Sequence, residues 1–254
     1  MTGTDTTRAA DPIQAPGTPE REWRAWNGLH TLPPAALPEH GRVVVVAAHP
    51  DDEVLGAGGT LALLARAGLR LTVVSVTDGE GSHPGSTRVT PAQLAVVRAA
   101  ELRRALTALG AHDAEVVRLG VADTRLALHE HDVTAALEPL VEGAALCLAP
   151  WSGDVHSDHE AAGRAASQAS RSASVVCWTY PVWTWHWARP ADPRVPWDTA
   201  AAVRLPAEVA ELKRRAVAEF VSQTGPLGPD PADAAVLPPD ELAHHLRDFE
   251  VFFT

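Results

Sequence analysis

VVVVAAHPDDEVLGAGGT, residues 43–60, is the stretch whose reading decides the fold. Its four valines and two alanines make a short β-branched run bounded by polar residues, the pattern of a strand buried on both faces in a parallel sheet. Such a strand delivers His49, Asp51, Asp52 and Glu53 to the point where a helix begins, and ligands bind at this edge of open α/β sheets. A single acidic residue there would need no explanation beyond the helix dipole. Four crowded ionisable side chains carry a heavy desolvation cost unless an ion or substrate offsets it. His49 and Asp52 offer a nitrogen and an oxygen donor three residues apart, within reach of one ion, which leaves Asp51 free beside it as a base. Gly56, Gly58 and Gly59 do not make a dinucleotide fingerprint. Their spacing is wrong, and acidic and imidazole groups stand where a pyrophosphate would sit.

Outward from this segment, β-branched runs alternate with amphipathic stretches, which implies βαβ units, hence a Rossmann-like α/β fold with a mostly parallel sheet and helices on both faces. Strands are expected at Val43–Ala48, Leu71–Thr77, Glu115–Leu119, Ala145–Ala149, Ser174–Thr179 and Ala201–Leu205. Helices are expected at Val54–Ala67, Pro91–Leu109, Asp132–Glu142, Asp158–Ser172 and near Ala207–Ser222. Thr90 and Pro91 supply an N-cap and first helical residue, while Gly68 and Gly110 sit where helices stop. The Pro- and Gly-rich segment 225–239 reads as a loop before a final short helix. Residues 1–22 read as a flexible leader with little hydrophobic periodicity, and 23–254 as a single domain.

The 254 residues suffice for one substantial core, and the balance of 46% hydrophobic and 21% charged residues is that of a globular protein. A formal charge of −11 argues against a nucleic-acid partner, because phosphate binding relies on Lys and Arg. Cys147 and Cys177 lie in apolar runs and give neither a disulfide framework nor a CxxC motif. No apolar run approaches the ~18 residues of a membrane span, and the N-terminal residues lack a secretory core, so a cytoplasmic location is expected.

A second polar cluster follows another strand, in LCLAPWSGDVHSDHEAAGRAA, residues 146–166. It should open on the same edge of the sheet. With His159 added to His49 and Asp52, one ion gains two imidazoles and a carboxylate, a catalytic zinc set with a position left for water. The same donors also suit Fe2+. His156 is then spare, and Asp158, two residues away, is expected to hold its tautomer and raise its pKa for proton donation.

These segments resemble the zinc-dependent N-acetylglucosaminyl deacetylase family, called PIG-L or LmbE-like. The resemblance rests on AHPDDE at 48–53 and HSDH at 156–159 and extends over roughly 41–223. It implies His49, Asp52 and His159 as zinc ligands, Asp51 as general base, and His156 as the group that polarises the carbonyl or protonates the amine. Weaker counterparts are Thr77–Gly81, Arg98 with Glu101, and Asp123. By similarity Arg98 and Asp123 would bind substrate hydroxyls, although a surface ion pair between Arg98 and Glu101 is an equal alternative. Phe220 stands where many members have His, which puts a C-terminal contribution to the site in doubt.

In YPVWTWHWARPADPRVPW, residues 180–197, an extended 182–188 would place Trp183, Trp185 and Trp187 on one face. There Trp185 and its neighbours would stack on a substrate ring, form a subunit interface and so a homo-oligomer, or cover the sheet edge. The expected activity is zinc-dependent removal of an N-acetyl group from a small-molecule amino sugar. Its alternatives are an amidase on a larger conjugate and a sugar-binding module without turnover.

Overall fold

The computed structural model describes residues 12, 13 and 15–254. Seven strands form one sheet: β1 (Arg42–Ala47), β2 (Arg70–Thr77), β3 (Glu115–Val121), β4 (Leu146–Pro150), β5 (Cys177–Tyr180), β6 (Ala200–Arg204) and β7 (Phe249–Phe253). Their order is β3-β2-β1-β4-β5-β7-β6, with the first five parallel and β7 antiparallel to both neighbours. The helices are α1 (Glu20–Ala25), α2 (Asn27–His30), α3 (Asp52–Arg66), α4 (Pro91–Ala108), α5 (Glu130–Val141), α6 (Ser157–Ser172), α7 (Thr184–Trp187), α8 (Ala207–Val217), α9 (Val221–Thr224) and α10 (Pro239–His245). Among the described residues, no helix is long and apolar enough to cross a membrane.

The valines of β1 show why the run is continuous rather than alternating. Val43 and Val45 pack with side chains of α3, α4 and α8, whereas Val44 and Val46 face α5 and α6. All four are fully buried, each worth about 1.5–3 kcal/mol of transfer free energy. Thr90 closes a capping box with Gln93 at the start of α4. Gly68 and Gly110 end α3 and α4 with φ of +79° and +78°, a conformation that only glycine adopts cheaply.

Two local expectations change. The strand β7 was not expected, and its buried Glu250 interrupts an otherwise apolar FEVFF. Glu250 accepts from the N–H groups of Gly59 and Thr60 in α3 and from Lys213 Nζ at 2.6 Å, while Lys213 also donates to the Leu55 carbonyl. The pair thus occupies backbone positions that an i→i−4 bond between Gly59 and Leu55 would use. A Cβ at Gly56 or Gly59 would collide with Tyr180 or Leu205, so these glycines serve close helix packing. The helix near Ala207–Ser222 stops at Val217, and a separate turn, α9, follows.

The expectation of a flexible leader through residue 22 also needs correction where the residues are described. Thr18 is buried, its N–H bonding the His186 carbonyl and its hydroxyl the Ala188 carbonyl, and α1 begins at Glu20. Residues 1–11 and 14 lie outside the described residues.

Candidate active site

Strands β1 and β4 are parallel neighbours, and the order of strands reverses between them. Their C-terminal ends therefore flank the topological switch point, where the crevice of a doubly wound sheet lies. His49 to Glu53 leave β1 here and Trp151 to His159 leave β4, so two segments a hundred residues apart meet.

Atoms of His49, Asp52 and His159 able to hold one ion all lie within 4.8 Å of one another. His159 Nε2 is 3.3 Å from His49 Nδ1 and 3.3 Å from Asp52 Oδ1, and His49 Nδ1 is 3.5 Å from Asp52 Oδ2. Ligands about 2.0–2.1 Å from a tetrahedral ion stand about 3.3–3.4 Å apart, so these residues fit a small divalent metal. The far nitrogens of both rings also face carboxylates. His159 Nδ1 is 2.8 Å from Asp154 Oδ2, while His49 Nε2 is 3.1 Å from Asp123 Oδ1 and 3.4 Å from Asp158 Oδ2. Such backing fixes ring orientation and raises ligand basicity.

Asp51 and Asp52 are adjacent but face different surroundings. Burial opposes ionisation of Asp52, yet the imidazoles of His159 and His49 outweigh it and hold the carboxyl below the usual range. Burial pushes Asp51 up to about 6, against the opposing charge of Arg98 and with the help of Asp52. The chain gives Asp51 its direction through a backbone at φ 148°, a strained value for a non-glycine residue. Its N–H bonds Glu53 Oε2, and Arg98 donates to its Oδ2 at 3.0 Å. Glu53, fully buried, is pushed up to about 8 by burial and by the charge of Asp51.

Arg98 is buried and also donates to the carbonyls of Gly79 and Pro50, while Glu101 accepts from the backbone and hydroxyl of Ser222. A surface ion pair between Arg98 and Glu101 is therefore absent. Asp123 accepts from Gly81 N–H and faces His49, and both Arg98 and Asp123 line the cavity above the site. That cavity, about 660 Å³, is also lined by Pro231, Val236, Leu237 and Ile13. Phe220 is buried in the core, whereas Gln223 reaches the cavity and bonds Ser82.

His156 lines the cavity, but its link to Asp158 differs from expectation. The Asp158 carboxylate accepts from the N–H groups of Thr124 and Leu126 and approaches His49. Towards His156 it offers only its backbone N–H, which donates to Nδ1 at 3.3 Å. Burial and the neighbouring imidazoles of His159 and His49 push His156 down to about 2, not up. An Nδ1 that accepts leaves the proton of a neutral ring on Nε2.

The tryptophan segment is not extended. Asp154 accepts from the N–H groups of Val182, Trp183 and Thr184, and this long-range cap winds residues 184–187 into a helical turn. Trp183 lines the cavity, whereas Trp185 is buried edge-on against Trp23 at 5.1 Å, beneath the Arg247 guanidinium at 4.1 Å. The expectation that Trp185 stacks on substrate is thereby corrected. The capping role of Asp154 escaped sequence analysis because the N–H groups it accepts from lie 28–30 residues downstream.

The fold and site define a Rossmann-like α/β protein with a two-histidine, one-carboxylate centre at the sheet's switch point. Residues 44–170 match the family described as PIG-L, GlcNAc-PI de-N-acetylase, and the chain belongs to that family. It is 31% identical over 137 residues to the uncharacterized deacetylase YaiS of Escherichia coli K12, covering 51% of this chain and 68% of that one. It is 33% identical over 169 residues to the 1D-myo-inositol 2-acetamido-2-deoxy-alpha-D-glucopyranoside deacetylase of Nocardia farcinica, 57% of each chain. The match to the equivalent Catenulispora acidiphila deacetylase 1 spans only 27% of that protein. The crystal structure of the A40926 pseudoaglycone deacetylase Dbv21 superposes with a TM-score of 0.58 over 84% of this chain and 96% of that one. At 20% identity it shows the shared fold.

Proposed function

We propose that this protein is a zinc-dependent deacetylase that removes an N-acetyl group from an amino sugar or its glycoside. The opposite pKa displacement of Asp51 and Asp52 carries the mechanism, because environments that push two titratable groups apart assign them separate roles. His49, Asp52 and His159 would hold the ion, for which the donor chemistry favours Zn2+, with Fe2+ suited to the same set. A divalent ion there would supply Lewis acidity for the amide carbonyl and acidify water.

Asp51, ionised above about pH 6, takes the proton of the attacking water and later passes it to the departing amine. His156 presents Nε2–H as a neutral donor and steadies negative charge on the carbonyl oxygen, so its contribution does not require an imidazolium. Arg98 positions Asp51, and Asp123 sits where it orients His49 and meets sugar hydroxyls. The test is acetate release from a panel of N-acetylated amino sugars and glycosides, with metal analysis of the same preparation. Metal at one equivalent without turnover of any member would favour a sugar-binding module instead.

A further inference from the structure

We propose that Cys177 is an oxidisable thiol and Cys147 the partner that closes it into a reversible disulfide, a modification site separate from the catalytic cavity. The two cysteines are directly paired on the neighbouring parallel strands β4 and β5. Both belong to the apolar cluster that includes Ala161, Ala165 and Ala169 of α6, so their side chains share one face of the sheet. Neighbouring strands stand about 4.8 Å apart, inside the range of about 4.4–6.8 Å that a disulfide spans between Cα atoms. Neither cysteine lines the cavity that holds His49, Asp51 and Asp52.

The pair is asymmetric. Cys147 is fully buried, whereas Cys177 opens β5 and is partly exposed. The Cys147 thiol hydrogen-bonds the Cys177 sulfur, and this bond together with burial holds Cys147 well above the ordinary thiol range. The same bond pulls Cys177 below that range, against burial and with help from the Ser170 and Ser167 hydroxyls and the charge of Arg171. Reactivity follows the thiolate, so Cys177 is the nucleophile and Cys147 keeps its proton. Ser170 gives an independent sign. It is 1% exposed, and its Oγ finds no oxygen or nitrogen to bond among the described residues, which leaves the two sulfurs as its polar neighbours. A buried hydroxyl needs an acceptor, and a thiolate or a sulfenic oxygen is a far better one than a thiol.

The oxidant is a hydroperoxide. The Cys177 thiolate attacks its distal oxygen: an S–O bond forms, the O–O bond breaks, and the departing hydroxide or alkoxide takes a proton from water. The Cys147 sulfur then attacks the Cys177 sulfur. An S–S bond forms, the S–O bond breaks, and the hydroxyl leaves with the Cys147 proton as water. The two thiols lose two electrons and two protons, and the peroxide gains them. A dithiol reductant reverses the change by exchange, attacking one sulfur of the bridge and then leaving as its own disulfide.

The test treats the native chain with hydrogen peroxide, unfolds it in N-ethylmaleimide and reads it by mass spectrometry. Untreated protein should take up two maleimides, one for each cysteine, and treated protein none. A peptide pair joining Cys147 to Cys177 should appear about 2 Da below the sum of its reduced members, and dithiothreitol should restore both thiols. Cys147→Ser should leave Cys177 as a sulfenic acid that dimedone traps, while Cys177→Ser should leave Cys147 reduced. Peroxide that oxidises free glutathione but leaves both native thiols open to maleimide overturns the proposal. So does a disulfide that forms only between two chains, or oxidation of Cys147 in Cys177→Ser at the wild-type rate. The wild-type masses need neither a variant nor a substrate, so misfolding of a cysteine variant or failure of the deacetylase reading does not alter them.

Discussion

The cluster at the start of α3 and the cluster about two turns further along it are built from similar residues and end differently. Lys213 and Glu250 are buried, and Glu250 takes donors on both oxygens: Gly59 N–H and Lys213 on one, Thr60 N–H and hydroxyl on the other. Neither residue lines the large cavity. At the start of the helix, two neighbouring aspartates are pushed in opposite directions, and two imidazoles and a carboxylate converge on one point. Burial of charge is common to both clusters and so does not mark a site. Divergent protonation and donors aimed at one shared point do.

The comparison breaks first at the aspartates. Asp52→Asn should lose the metal and with it the activity, whereas Asp51→Asn should keep one metal per chain and lose about 10²–10⁴ in kcat. Metal content by mass spectrometry beside steady-state rates decides it, and near-normal turnover in metal-bound Asp51→Asn would end the assignment of the base. Next is the second cluster. Lys213→Met leaves Glu250 buried without its cation and should cost about 3–5 kcal/mol in denaturant unfolding. An unfolding midpoint that does not move would mean the pair is no fastener.

A smaller effect is expected from pH. Because burial raises Asp51 to about 6 and only the ionised form accepts a proton, the rate should climb as pH rises through 6 and reach about a tenth of its plateau at pH 5. That limb should vanish from the residual activity of Asp51→Asn, and its survival there would assign it to another group. The smallest effect separates the tryptophans. Trp183→Ala should raise KM a few-fold, the ~0.5–1.5 kcal/mol of an aromatic contact, while Trp185→Ala should lower stability by about 3–5 kcal/mol. KM unchanged in Trp183→Ala would remove that ring from the substrate path.

Much of the frame was legible because local pattern and tertiary role agree there. The β-branched runs of β1 and β2 and the Thr90–Pro91 start of α4 fall within a residue of expectation. The polar segments after β1 and β4 also meet at one edge, as two parallel neighbours must. What stayed hidden depends on partners distant in sequence. Alternating tryptophans suggested an extended segment, but three N–H groups bound to Asp154 wind it into a turn. The partners that let Glu250 be buried in FEVFF, Lys213 and the backbone of α3, lie 37 and about 190 residues away. The wall of residues 231–238 comes from a Pro-rich loop with no periodicity to read.

The contact between Glu250 and α3 also bears on how the protein reaches its native state. It joins residues 191 apart, so the helix that presents Asp52 is completed only when a strand from the far end of the described chain arrives. Contacts of such separation are the slow ones, since the intervening chain must first be ordered. During synthesis the His49–Glu53 segment would therefore emerge long before its support. The residues proposed to hold a metal would then reach their final arrangement late, after docking of β7.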